Sequence, residues 1–136
     1  MVTGIYLSRI FEILLVDDSS AERLLAGEAI AEFAPDMRLI SLGSRAELFK
    51  HLATHPHPNF ILLDLHIGPD LGSDITYQLH GKTTVPIAVL STTKNAIERA
   101  RCLATGAVDY FEKPVNFGEY SDIIDRIRTI LASYHS

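Results

Sequence analysis

The 136-residue sequence predicts a doubly wound α/β domain built on a five-stranded parallel sheet. Three observations lead there. Apolar runs at 12–17, 37–42, 59–64, 85–91 and 107–112 alternate with helical segments, the rhythm of a parallel sheet covered on both faces. The length suits one domain, which hides roughly two-thirds of its unfolded surface in a single core. Four of the runs, ILLV, FILL, IAVL and DYFE, lead into residues that can handle a phosphoryl group or a cation: Asp17-Asp18, Asp64, Ser91 and Lys113.

Each element has its own signal. After the first strand, Ser19-x-x-Glu22 opens a helix at 20–33, and after the second, Ser44-x-x-Glu47 opens one at 44–54. In such a box the hydroxyl satisfies an orphan amide and the Glu reaches back to another. A third helix is expected near 72–81, between Gly72 and Gly81. The helix at 94–104 is expected to turn Ala96, Ala100, Leu103 and Ala104 to one side and Glu98, Arg99 and Arg101 to the other, with Gly106 ending it. In the last helix, 117–132, Tyr120, Ile123, Ile124, Ile127 and Leu131 return at the helical period. Residues 1–11 are expected to form an N-terminal arm, 12–132 the domain and 133–136 a tail.

Composition narrows the classes. The net charge is -5 and the twelve Lys and Arg are scattered, so no direct nucleic-acid contact is expected. The longest apolar runs fall far short of the ~20 residues that span a bilayer. The start, MVTGIYLSRIF, lacks the apolar stretch of a secretory signal. A cytoplasmic protein without membrane contact is expected, and the lone Cys102, with no disulfide partner, agrees.

In a doubly wound sheet, ligands bind beyond the carboxyl ends of the strands, where the strand order reverses. With the order 2-1-3-4-5, that point lies between the first strand, ending in Asp17 and Asp18, and the third, ending in Asp64. Two carboxylates ~5 Å apart repel by roughly 3 kcal/mol at an effective dielectric of 20. A bound cation removes that cost, and an all-oxygen site that keeps waters suits Mg²⁺. Read singly, Asp17 and Asp18 would be turn acids, Asp64 a loop cap and Ser91 a helix-start hydroxyl. Their coincidence with Lys113 favours an acceptor site instead: Asp64 as nucleophile, the Ser91 hydroxyl on a phosphoryl oxygen, the Lys113 ammonium reaching Asp64 as a point charge. Tyr110 reads either as an edge-strand aromatic or as a ring that moves in and out with Ser91. His51 and His55 have i,i+4 spacing, but Pro56 and Pro58 break the helix and no acid or Cys lies near, so a solvated surface is preferred to a metal pair. Cys102 reads as packing.

Taken in order, Asp17-Asp18, Asp64, Ser91, Tyr110 and Lys113-Pro114 resemble the receiver domain of two-component response regulators, the chemotaxis-type phosphoacceptor module with a flavodoxin-like fold. The resemblance covers residues 12–132, and Gly72, eight residues after Asp64, agrees with it. It implies that Asp64 takes phosphate from the phosphohistidine of a sensor histidine kinase, as in a phosphorelay. Asp17, Asp18, Asp64 and the backbone carbonyl of His66 would hold Mg²⁺, and Ser91 and Lys113 would bind phosphoryl oxygens. Tyr110 would report the state of Ser91 to a face made by the fourth helix, fifth strand and fifth helix, used for a downstream protein or a homodimer. The resemblance also raises the expectation of a cis Lys113–Pro114 bond above the ~5–6% general for X-Pro. Thr92, His66, Thr93 and Gly68-Pro69 depart from the family pattern or occupy positions that tune access and phosphate lifetime. The ending KPVNFGEYSDII is similar to small receivers paired with bacterial phytochrome kinases.

The expected function is thus a single-domain phosphoacceptor switch, not an enzyme beyond its own phosphorylation and dephosphorylation. The alternative is a Mg²⁺-dependent phosphohydrolase with an aspartyl-phosphate intermediate. Haloacid-dehalogenase-type enzymes place Asp-x-Asp after the first strand, where this chain has Asp17-Asp18-Ser19. A flavin or nucleotide module would cradle phosphate on Gly, Ser or Thr amides, where two carboxylates stand here.

Overall fold

The computed structural model describes residues 10–134. Most of the expected arm, and the last two residues of the expected tail, lie outside the described residues. Five strands form one parallel sheet: β1 Phe11–Val16, β2 Met37–Leu42, β3 Phe60–Asp64, β4 Ile87–Ser91 and β5 Asp109–Glu112. Their order is β2-β1-β3-β4-β5, the doubly wound order expected. The helices are α1 Ser20–Phe33, α2 Arg45–Thr54, α3 Gly72–Leu79, α4 Ala96–Ala104 and α5 Tyr120–Tyr134, the last preceded by a 3₁₀ turn at Phe117–Glu119. A two-stranded antiparallel hairpin, His66–Ile67 with Asp70–Leu71, turns through Gly68 at φ 57° and was not anticipated from the sequence.

The central strands are apolar on both sides because both sides are covered. Ile13 and Leu15 of β1, Phe60 and Leu62 of β3, and Ala88 and Leu90 of β4 pack with Ile123, Ile124, Ile127 and Leu131 of α5. The alternate residues Leu14, Val16, Ile61 and Leu63 pack instead with Leu48 of α2 and Ile75 and Leu79 of α3. Each fully buried Leu or Ile contributes about 1.5–3 kcal/mol relative to exposure, so two facing layers fix the sheet firmly.

Local chemistry sets the element ends. Ser19 accepts the Glu22 amide at 3.2 Å, and Ser44 accepts the Glu47 amide at 3.1 Å. The return half of each expected box differs: Glu47 accepts the Gly43 amide, and Glu22 turns to Lys113. Asn95 caps α4 by accepting the Ile97 and Glu98 amides, so that helix starts two residues later than its sequence pattern suggested. Asn116 and Glu119 form a complete capping box before α5. Gly106, at φ 116°, ends α4 as expected, with its own N–H on the Leu103 carbonyl and the Ala107 N–H on Cys102.

The face of α4 is a correction. Ala96, Ala100 and Ala104 are exposed, while Cys102 is fully buried against Leu65, Val89, Ala107 and Tyr110. Three alanine methyls offer little area to bury, so the larger Cys102 decides the helix rotation. A second correction concerns Pro114: no cis peptide bond occurs among the described residues. The trans form is intrinsically favoured, and Lys113 reaches the acids with the bond trans.

Gly72 ties α3 to the end of β3. Its N–H donates to the Leu65 carbonyl at 2.7 Å, and a Cβ there would lie 2.5 Å from the Asp64 carbonyl oxygen. Backbone cannot give way as a side-chain tip can. Gly72→Ala should therefore cost about 2 kcal/mol in urea unfolding, and a midpoint equal to that of the parent protein would refute this packing.

Candidate functional site

Strand register brings the acids together. Val16 pairs with Leu63, so Asp17 and Asp64 emerge side by side where the crossovers diverge. The Asp17 N–H continues the ladder to Leu42, and the Arg23 guanidinium donates to the Asp17 carbonyl at 2.6 Å. These contacts hold the end of β1. Asp18 points outward and accepts the Gly68 N–H at 3.0 Å, linking it to the hairpin. One oxygen from each of Asp17, Asp18 and Asp64 lies within 4.8 Å of the others.

Lys113, at the end of β5, crosses to this cluster. Its N–H continues the sheet to the Ser91 carbonyl at 2.7 Å. Its Nζ lies 3.1 Å from Asp64 Oδ2 and 3.3 Å from Asp17 Oδ2, and it contacts Glu22 as well. Asp17 is 2% exposed and Asp64 7%, so these charges interact with little screening.

The electrostatics follow from burial and crowding. Burial pushes the Asp17 carboxyl up to about 6, helped by its hydrogen bond with Glu22 and opposed by the Ser19 amide. Glu22 is lowered, chiefly because Asp17 donates to it in that shared bond. Asp64 is also raised, first by burial, with Lys113 and the His66 amide pulling it back. Burial alone would lower the Lys113 ammonium, but its bonds to Glu22 and Asp64 outweigh this and raise it. The lysine is therefore a permanent cation here, while at least one acid resists ionising. Three oxygen donors converging under such repulsion fit a hard divalent cation.

Ser91 and Tyr110 sit on the neighbouring strands. Ser91 follows Leu90, the register partner of Asp64, and is 2% exposed. Its Oγ accepts the Thr93 N–H at 3.1 Å, and the Tyr110 hydroxyl donates to the Thr93 carbonyl at 3.0 Å. Tyr110 is thus buried, and its link to Ser91 runs through the backbone of one residue. Thr92, between them, is exposed on the rim of the site. His66 exposes its side chain and places its backbone beside Asp64.

The structure unites Asp17, Asp18, Asp64 and Lys113 by distance and sets Ser91 at the same sheet edge. Glu22 was missed as a site residue, since its place three residues after Ser19 suited a helix cap. Its position in the first turn after the switch-point strand was the available signal. His51 and His55 form no part of the site; their rings stack at 4.1 Å at the C-terminal end of α2. Cys102 lies buried behind β5, its thiol pushed up to about 11 by burial.

Comparison with known proteins agrees with this geometry. Residues 13–125 match the family model described as the response regulator receiver domain. A protein-glutamate methylesterase/protein-glutamine glutaminase of Methanospirillum hungatei is 34% identical over 127 residues, covering 86% of this chain and 36% of that protein. The chain spans between about a third and a half of the first curated relatives it matches, 36%, 34% and 46% of their lengths. Among solved structures, the phosphorylated cyanobacterial phytochrome response regulator RcpA superposes with a TM-score of 0.77 at 24% identity, covering 92% of this chain and 96% of its own. The Mn²⁺-bound response regulator Rcp1 gives 0.71 at 25% identity, covering 88% and 92%. With the family model spanning most of its length and the acids and lysine gathered at the sheet edge, the chain belongs to the receiver domains of two-component response regulators.

Proposed function

We propose that Asp64 accepts a phosphoryl group from the phosphohistidine of a sensor histidine kinase. The observation that carries this is the Lys113 ammonium 3.1 Å from Asp64 within a cluster of three carboxylates. An Asp64 oxygen attacks phosphorus, the P–N bond breaks, and the electron pair stays on the departing imidazole. Lys113 places a fixed positive charge where the phosphoryl oxygens arrive, and the Ser91 hydroxyl donates to one of them. Asp17, Asp18, Asp64 and the His66 carbonyl would hold Mg²⁺, which when bound offsets negative charge on the transferred group.

The switch is read through Thr93. A Ser91 hydroxyl drawn to phosphate would release the Thr93 amide, and with it the carbonyl that holds Tyr110. The output face is α4, β5 and α5, where Ile97 is 71% exposed, and where Lys94 pairs with Glu112 at 3.4 Å. A downstream protein or a second copy of the chain would dock there. A kinase of the bacterial phytochrome type is supported by the KPVNFGEYSDII ending and by RcpA, a phytochrome response regulator.

Two measurements test this. A small phosphodonor with Mg²⁺ should add one phosphoryl group to the intact protein, seen by mass spectrometry, and none to Asp64→Ala; labelling of the variant would overturn the assignment. Cation binding should depend on pH, because Asp17 must lose its proton to act as a ligand. With that carboxyl raised from 3.8 to about 6, apparent Mg²⁺ affinity should fall about tenfold per unit below pH 6 and level off above about 7. Calorimetric titrations giving one affinity from pH 5 to 7 would contradict the predicted competition.

A further inference from the structure

We infer that Glu22 is a displaceable counter-ion that occupies Lys113 in the resting protein and must yield before the lysine can hold a phosphoryl group. The inference rests on the phosphoacceptor reading above and adds a positioning residue to it. An ammonium has three N–H donors, and Lys113 meets three carboxylates: Asp64 at 3.1 Å, Asp17 at 3.3 Å and Glu22 in close contact. Its hydrogen bonds go to Asp17 and Glu22, and its charge faces Asp64 as an ion pair. A phosphoryl oxygen arriving at Asp64 has to compete with these carboxylates for the one ammonium, and the carboxylate held least firmly gives way.

The surroundings single out Glu22 as the one that yields. Asp64 is the acceptor itself, and Asp17 is 3% exposed in its side chain, pinned by the Ser19 amide at 2.9 Å. Glu22 is 42% exposed in its side chain and stands on the first turn of α1. It lies at the rim of an apolar cavity of about 260 Å³ between α1, α5 and the sheet, bordered by Thr92, Lys113 and Val115. Rotation about its side-chain bonds takes the carboxylate to water without moving the helix, since the Ser19 cap on α1 uses the Glu22 backbone and not its side chain. The exchange is of one anion for another on the same cation, with no bond made or broken.

The test uses beryllofluoride as the phosphoryl mimic, at saturating Mg²⁺, on the full chain. Glu22→Gln keeps the size and removes the competing charge, so it should bind beryllofluoride about fivefold tighter than the parent, the order expected for one partly exposed ion pair. At pH 7.5, where Asp17 is ionised in both proteins, its Mg²⁺ affinity should be no higher, because a negative charge beside Asp17 has gone. Glu112→Gln makes the same charge change at the same rim without touching Lys113, and should move beryllofluoride affinity much less. An unchanged Glu22→Gln, or an equal gain in Glu112→Gln, overturns the counter-ion role. Weakening of both ligands in Glu22→Gln, with a lowered melting temperature, would mark a purely structural residue and overturn it too. Glu22→Ala, a good helix former, repeats the measurement should the Gln variant misfold. Failure of the parent protein to bind beryllofluoride, as with Asp64→Ala, would instead remove the phosphoacceptor reading and this inference with it.

Discussion

The repulsion among Asp17, Asp18 and Asp64 is the constraint around which this domain is organised. Their ligand oxygens fall within 4.8 Å of one another, and at such separations each charged pair costs roughly 3 kcal/mol at an effective dielectric of 20. Lys113 answers part of that cost, and below about pH 6 a raised Asp17 answers another part by holding its proton. What remains is an appetite for positive charge at one sheet edge. A divalent cation satisfies it better than water does, and the cation and Lys113 together can then accommodate the negative charge of a phosphoryl group, which is the physical basis of the proposed phosphoacceptor chemistry.

The scaffold makes that crowding sustainable. β3 and β4 are buried along their whole lengths, and the two layers of helices prevent the strand ends from splaying to relieve the charges. Gly72 closes α3 down on the Asp64 carbonyl, and Arg23 clamps the Asp17 carbonyl. Ser91 and Tyr110, meanwhile, grip the amide and carbonyl of Thr93, so a small shift at the site has a defined route to the α4 and β5 surface.

Much of this was legible in the chain because strand ends are easy to read. ILLV before Asp17 and FILL before Asp64 fix both the strands and the side of the sheet on which the acids emerge, and Lys113 follows DYFE by the same logic. Glu22 was not legible, since Ser19-x-x-Glu22 satisfies a local rule and gives no hint that Lys113, ninety-one residues on, competes for the same carboxylate. The rotation of α4 was misjudged because three alanines keep the helical period yet bury little, whereas the single Cys102 finds a pocket behind β5. The hairpin at His66–Leu71 has strands of two residues, too short for any periodicity to show. Pro114 illustrates a different limit: the sequence marks a proline, and only the tertiary setting selects its isomer.

A crystal structure of the protein grown with Mg²⁺ and beryllofluoride tests the central claim most directly. Beryllium should sit on one Asp64 oxygen, the cation should touch Asp17, Asp18, Asp64 and the His66 carbonyl, fluorides should meet Ser91 and Lys113, and Glu22 should be turned out to solvent. Density for beryllofluoride on any other side chain, or a cation that leaves Asp17 and Asp64 untouched, would contradict it.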